Sequence, residues 1–192
     1  MSQLFGRKKP ESRKVPVMVA DKTSQEAGFA ILELDAKEVD ELIDRMTKAM
    51  PLVRWSNDGL RRNFLSPNSL SLVARRDGVI VGIINGTVSQ IPSPVASIGL
   101  TAVLDQASGQ MGLGGYLVDE FIAVAQKRMP KLPRVEVSLA TIDTGSIALY
   151  ALKGFLIEGF VKGGFSQPSA GQDGADLIIL RRHLSQTESL SV

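Results

Sequence analysis

Between Val95 and Arg128 an apolar, β-prone stretch passes through a glycine-rich segment, Gly109–Gly115, into residues at helical spacing. Val95–Leu104 reads as a strand. Leu113, Leu117, Phe121 and Val124 fall on one helix face, and Pro130 ends that helix just past Arg128. Glycines at such a junction let the main chain turn closely, and the helix beyond opens with amides that have no intrahelical acceptor. Those amides and the helix dipole can hold a phosphate or pyrophosphate without a side-chain cation. A strand coupled to a helix in this way commits the chain to a mixed α/β architecture. Two nucleotide patterns fail here. No Lys follows the glycines, as a Walker loop requires, and Gly112-Leu113-Gly114 lacks the third glycine of the dinucleotide fingerprint. A plain glycine turn that caps a helix remains the alternative at this level.

The flanking sequence supplies the other elements. Phe29–Leu34 is a short strand. Asp35 caps a helix, with Glu38 three residues later completing a capping box. Val39, Leu42, Ile43, Met46 and Met50 form its apolar stripe, and Pro51 stops it. Residues 56–65 form a second, short helix that starts near Ser56 or Asn57 and closes at Pro67-Asn68. Leu70–Ala74 and Val79–Val88 are strands of a hairpin turned by Arg76-Asp77-Gly78, and Ile91-Pro92-Ser93-Pro94 is a loop. Arg134–Ile142 is a strand with Val135, Val137 and Leu139 on one face. Ser146–Lys153 is a helix closed by Gly154. Phe155–Val161 and Ala175–Arg181 are the last two strands. The order β-α-α-β-β-β-α-β-α-β-β, with no repeat and no second hydrophobic core, describes one domain over residues 28–184. Residues 1–27 read as a basic, flexible extension and 185–192 as a frayed tail.

Composition removes whole classes of chemistry. The 192 residues contain no Cys, so disulfides, thiolate zinc sites and Cys nucleophiles are excluded, and no metal site is expected. One histidine, His183, cannot build a His-x-x-x-His zinc helix, and a solvated surface role is expected for it. The formal net charge is +2, yet Arg7, Lys8, Lys9, Arg13 and Lys14 all lie in the first sixteen residues. The remainder is close to neutral, which argues against a nucleic-acid groove. No apolar run reaches the ~18–20 residues of a membrane span, and the first residues lack an apolar signal core. A cytoplasmic protein with no membrane partner is the expectation.

Two motifs in fixed order resemble a known family. Gln110-Met111-Gly112-Leu113-Gly114-Gly115-Tyr116-Leu117 is similar to the pyrophosphate loop of GCN5-related N-acetyltransferases (GNAT), whose pattern is Arg/Gln-x-x-Gly-x-Gly/Ala. Aligned on Gly112 and Gly114, Gly109 occupies the Arg/Gln position. Leu100-Thr101-Ala102-Val103 looks like the end of the family's fourth strand. Downstream, Asp143-Thr144-Gly145-Ser146-Ile147-Ala148-Leu149-Tyr150-Ala151-Leu152-Lys153-Gly154-Phe155 resembles the family's Asn-x-x-Ala-x-x-Leu-Tyr-x-x-x-Gly-Phe, with Asp143 in place of Asn. The resemblance covers about residues 28–184. It implies an acyl-CoA N-acyltransferase-like fold, an α/β (α+β) domain with a mixed, mostly antiparallel central sheet and helices on both faces. It implies acetyl-CoA as co-substrate and an amine acceptor, and it makes a homodimer an expectation. By position, the main chain of Gln110, Met111, Gly112, Leu113, Gly114 and Gly115 would bind the CoA pyrophosphate. Thr101, Ala102 and Val103 would line the pantetheine, with Thr101 and Val103 pairing through main-chain groups. The Tyr150 hydroxyl would donate a proton to the departing thiolate, and Asp143 is expected to cap the helix that carries it. Direct attack of a neutral amine on the thioester needs no covalent enzyme intermediate, in keeping with the missing Cys.

No general base can be singled out, and Glu136, Glu33 and Asp105 are the candidates. Trp55 lies near Arg54, Arg61 and Arg62, in the region that shapes the acceptor site in that family. If the arginines face the site, an acidic acceptor is expected. Two rival functions stand beside the transferase. One is a non-catalytic module of the same fold that senses acyl-CoA or scaffolds a partner, favoured by the missing loop cation and base. The other is an aspartic protease, because Ile142-Asp143-Thr144-Gly145-Ser146 matches that signature. A single copy would require a homodimer, and the residues that follow read as a helix where that fold is all-β.

Overall fold

The computed structural model describes residues 28–50, 56–90, 93–165 and 175–184. The expected extension over 1–27, the tail over 185–192, and Arg54 and Trp55 lie outside the described residues. So do Pro51 and Ile91-Pro92.

Strand β1 (Ala30–Glu33) leads through a 3-10 turn (Ala36–Glu38) to α1 (Val39–Ala49) and α2 (Asn57–Leu65). Then follow β2 (Ser69–Arg76), β3 (Val79–Ser89), β4 (Val95–Val103), α3 (Gln106–Gln110), α4 (Leu113–Arg128), β5 (Arg134–Ala140), α5 (Thr144–Leu152), β6 (Leu156–Phe165) and β7 (Ala175–His183). The seven strands form one mixed sheet in the order β1-β2-β3-β4-β5-β7-β6, antiparallel except where β4 meets β5. The expected element order and fold class are therefore met. One element was not foreseen: α3 occupies the start of what reads as a glycine-rich loop, because Asp105 caps it by accepting the Ser108 amide at 3.0 Å. The capping box forms only in part. Asp35 accepts the Lys37 amide at 3.0 Å, but the Glu38 carboxylate pairs with Arg75 instead of returning to the cap.

Both faces of the sheet are covered, so the apolar packing divides into two clusters. On one face α4 lays Leu113, Leu117, Phe121 and Val124 against Leu72, Ile84, Ile98 and Val135. On the other α1 and α2 lay Leu42, Ile43, Met46 and Phe64 against Val73, Ile80, Ile83 and Ala102. The run Ile80–Ile84 is apolar because its side chains divide between the two clusters, Val81 and Ile84 entering one and Ile80 and Ile83 the other. Full burial of a Leu- or Phe-sized side chain contributes about 1.5–3 kcal/mol, so each stripe is enough to hold its helix in place. The hairpin turn uses Asp77 and Gly78, both at positive φ (51° and 78°), as a two-residue connection requires.

Two irregularities open the middle of the sheet. The β3–β4 register shifts where Asn85 faces Leu100 and Gly86 faces Ile98, leaving Gly99 as a bulged residue. The bulge reverses the faces of β4. Ala96 and Ile98 pack toward α4, whereas Ala102 and Leu100 pack toward α1 and α2. The parallel β4–β5 pairing covers only Ala96–Ile98 with Val135–Val137, although β4 runs on to Val103 and β5 to Ala140. Beyond Ile98 and Val137 the two strands diverge.

Candidate active site

The divergence exposes main-chain groups that a sheet would otherwise pair. The Leu104 amide donates to the Val81 carbonyl at 2.8 Å. By antiparallel alternation the polar groups of Ala102 also turn to β3, and those of Thr101 and Val103 turn into the opening. Ala102 therefore presents its main chain to β3 and its methyl to the α1–α2 face, unlike Val103, which packs on the α4 side.

Tyr150 reaches the same opening from the other side. Its helix, α5, starts where Asp143 Oδ1 accepts the Ser146 amide at 3.0 Å, the capping role expected for that residue. The helix ends at Gly154, whose φ of 77° suits glycine alone without strain. This short helix points the Tyr150 ring into the core, 1% exposed, edge-on to Phe155 at 5.1 Å. The Tyr150 hydroxyl lies 2.7 Å from Thr101 Oγ1. Burial pushes its pKa up to about 12, and Asp143 adds to the rise, against the hydrogen bond from Thr101. The phenol therefore keeps its proton across the neutral range and stands in the opening as a hydrogen-bond donor.

The turn before α4 is narrower in its offering than its sequence suggests. Gly112 caps the helix at φ 78°, with no atom within 4 Å of where a Cβ would stand. The amides of Met111, Gly112 and Gly115 bond to the carbonyls of Ala107, Gly109 and Gly112, and Gln110 ends α3. Leu113 and Gly114, the first two helical residues, are left with the outward amides that every helix start presents. Gly114 and Gly115 also admit α5. A Cβ on Gly114 would stand 3.2 Å from Leu149, and one on Gly115 2.9 Å from Lys153 Cε.

Two cations missing from the loop arrive from elsewhere. Arg76, at the end of β2, brings Nη1 to 3.7 Å from Met111 Sδ and 4.0 Å from Asp105. Lys153 Nζ, paired with Asp119, lies 3.2 Å from the Cβ position of Gly115. Sequence reasoning missed Arg76 because 35 residues separate it from Met111 and only the β2–β3 turn returns it there.

The three base candidates separate. Glu33 pairs with Arg128 at 2.7 Å. Asp105 is occupied by the cap of α3, and the Ser108 hydroxyl and amide hold its carboxyl below the usual range. Glu136 faces Ser97 across β4–β5, one rung before the strands part. It accepts the Ser97 hydroxyl at 3.1 Å and lies 3.4 Å from Arg181. His183 is exposed as expected and contacts Glu158 at 2.8 Å.

On the α1–α2 face a cleft of about 250 Å³ adjoins the bulge, lined by Ser56, Gly59, Leu60, Asn63, Phe64, Asn85, Gly99 and Leu100. Among the described residues that line it, none is charged. Arg61 turns away to Asp40 and Asp58 and does not line the cleft, so the condition behind an acidic acceptor is not met by that residue. The Asp143 triplet sits at a helix start in a mixed sheet, not in the all-β setting an aspartic protease requires. Among the described residues there is no cluster of three His, Cys, Asp or Glu able to hold a metal, and no helix long and apolar enough to cross a membrane.

The profile of the acetyltransferase (GNAT) family matches residues 32–155. A GNAT-family acetyltransferase from Streptococcus pneumoniae superposes with a TM-score of 0.66 at 22% identity, over 81% of this chain and 99% of that one. The ribosomal-protein-S18-alanine N-acetyltransferase of Escherichia coli superposes with a TM-score of 0.70 at 18% identity, over 85% and 99%. Arabidopsis thaliana NAA60 in complex with acetyl-CoA gives 0.66 at 15% identity, over 81% and 98%. No curated protein matches the sequence. The matched profile covers well over half of the chain, and it spans the strand, turn and helices that build the opening: this protein belongs to the acetyltransferase (GNAT) family.

Proposed function

We propose that the protein transfers an acetyl group from acetyl-CoA to a primary amine by direct attack. The single observation that carries the reading is the Tyr150 hydroxyl held against Thr101 inside the gap between β4 and β5. Thr101 and Val103 offer main-chain groups to a pantetheine arm there. The amides of Leu113 and Gly114, with Arg76 and Lys153 nearby, suit a diphosphate. The amine nitrogen bonds to the acetyl carbon and the C–S bond breaks. Tyr150 gives its proton to the sulfur, and the proton lost by the amine returns through solvent to the phenolate. Glu136 is the best-placed proton acceptor of the three carboxylates. The solved relatives named for an alanine N-terminus and for spermidine acetylation suggest the acceptors to try first. Calorimetry with acetyl-CoA, followed by release of CoA thiol with an alanine-initiated peptide, a lysine peptide and spermidine, tests the assignment. Binding with turnover of one amine is the expected result.

The engaged amides of Met111, Gly112 and Gly115 favour a second reading, a non-catalytic acyl-CoA sensor or scaffold. Binding without turnover on any amine would establish the sensor, and no binding at all would leave the scaffold.

A further inference from the structure

The cleft beside the bulge contains a polar side chain with one face committed and one face open. Asn85 is 8% exposed and sits on β3 between Ser71 of β2 and Leu100 of β4. Its Nδ2 donates to Ser69 Oγ at 2.9 Å and to Ser71 Oγ at 2.8 Å, and the two hydroxyls lie 3.1 Å apart. Hydrogen counting decides the orientation of this amide. With nitrogen toward the serines, its two hydrogens and one hydroxyl hydrogen make three bonds. With oxygen toward them, both hydroxyl hydrogens are used on Oδ1 and the serine pair has none left, giving two. Oδ1 is thus turned from the serines, accepts no hydrogen bond from the described residues, and belongs to a residue that lines the cleft next to Gly99.

We propose that Asn85 is the acceptor-binding residue of this chain, its Oδ1 accepting an N–H of a primary amine borne on an uncharged group. The inference rests on the acetyltransferase reading. The chemistry of the cleft selects the class. Leu60, Phe64 and Leu100 give it an apolar wall, while Ser56 and Asn63 offer neutral hydrogen bonds. A second positive charge, as on a polyamine, finds no carboxylate among the described lining residues. A neutral carboxamide also serves the attack better than a carboxylate would. A negative charge at this position would stabilise the ammonium form and withhold the lone pair, whereas a neutral amide orients the nitrogen and favours the ammonium far less.

The probe is L-alaninamide, a small primary amine with an uncharged flank. In the wild-type protein loaded with CoA, the side-chain amide NMR signals of Asn85 should shift on titration with alaninamide and stay unmoved by spermidine. Unmoved signals with alaninamide, or an equal response to spermidine, would overturn the proposal. In turnover, Asn85→Leu should raise KM for alaninamide about tenfold, the scale of one lost hydrogen bond, with the Kd for acetyl-CoA unchanged. Asn85→Asp should restore KM but move the pH dependence of kcat/KM upward by about one unit, as a nearby carboxylate holds the ammonium. An unchanged KM in Asn85→Leu refutes the contact. Should the wild type fail to bind acetyl-CoA, the transferase reading falls by itself, and the alaninamide titration of the free protein still decides whether Asn85 contacts the amine.

Discussion

Replacing Tyr150 by Phe removes one oxygen atom from the gap between β4 and β5 and leaves the ring, its edge-on contact with Phe155 and its burial in place. The size of the effect follows from the pKa. A phenol pushed up to about 12 is a weaker acid than a thiol, whose ordinary value is about 8.5, so full proton transfer is uphill until charge has built up on sulfur. The main contribution is then a hydrogen bond to a developing thiolate, about 1.5–3 kcal/mol for a charged partner. That corresponds to a loss of about 10- to 150-fold in turnover, which reaches only the lower edge of the range for general acids. Thr101 loses its 2.7 Å partner in the same variant, so Thr101→Val is the control: it removes the same hydrogen bond and keeps the phenol. CoA thiol release under saturating substrates measures turnover, and calorimetry measures acetyl-CoA affinity. We expect Tyr150→Phe to slow turnover at an acetyl-CoA Kd within about twofold of wild type, and Thr101→Val to remain within several-fold of it, both on the scale of the hydrogen-bond energies above. Turnover of Tyr150→Phe within about twofold of wild type, well short of one charged hydrogen bond, would remove the hydroxyl from the mechanism.

The raised pKa of Tyr150 also sets an alkaline stability limit. Above pH ~10 the unfolded tyrosine ionises while the folded one does not until about 12, so stability falls with rising pH across that window by roughly 2–3 kcal/mol; denaturant melts of Tyr150→Phe should lack that share of the slope. Gly86→Ala should lower stability by about 1–3 kcal/mol, because a Cβ there would stand 2.7 Å from Phe121 Cζ and closer still to the Ser97 carbonyl oxygen; an unchanged denaturation midpoint would mean that β4 can shift freely. Arg76→Ala should weaken acetyl-CoA binding by about two- to fivefold, the worth of one partly exposed ionic contact, and flatten its salt dependence. Equal affinity at low salt would show that Arg76 does not serve the phosphates.

Local order was legible from the residues alone wherever the physics is local. Periodicity sets the stripes of α1 and α4, Asp77-Gly78 sets the hairpin turn, and Asp143 and Gly154 mark the two ends of α5. The order of these elements already implies a mixed sheet covered on both faces. The capping box at Asp35 forms only in part because Arg75, distant in sequence, competes for Glu38 with a full opposite charge. The glycine segment yielded its first residues to α3 because the Asp105 cap satisfies a helix start that the glycines alone would not favour.

Residue pattern alone sets out the strands and helices, the glycine turn before α4, and the tyrosine helix after β5. Which groups are free to act depends on how those pieces meet. The Gly99 bulge and the parting of β4 from β5 choose Thr101 and Val103 over Ala102, bring Tyr150 to Thr101, and return Arg76 to the turn. The reason is physical: an element's shape depends on neighbours a few residues away, whereas the register between strands and the cations around a turn depend on segments that meet only when the chain has folded.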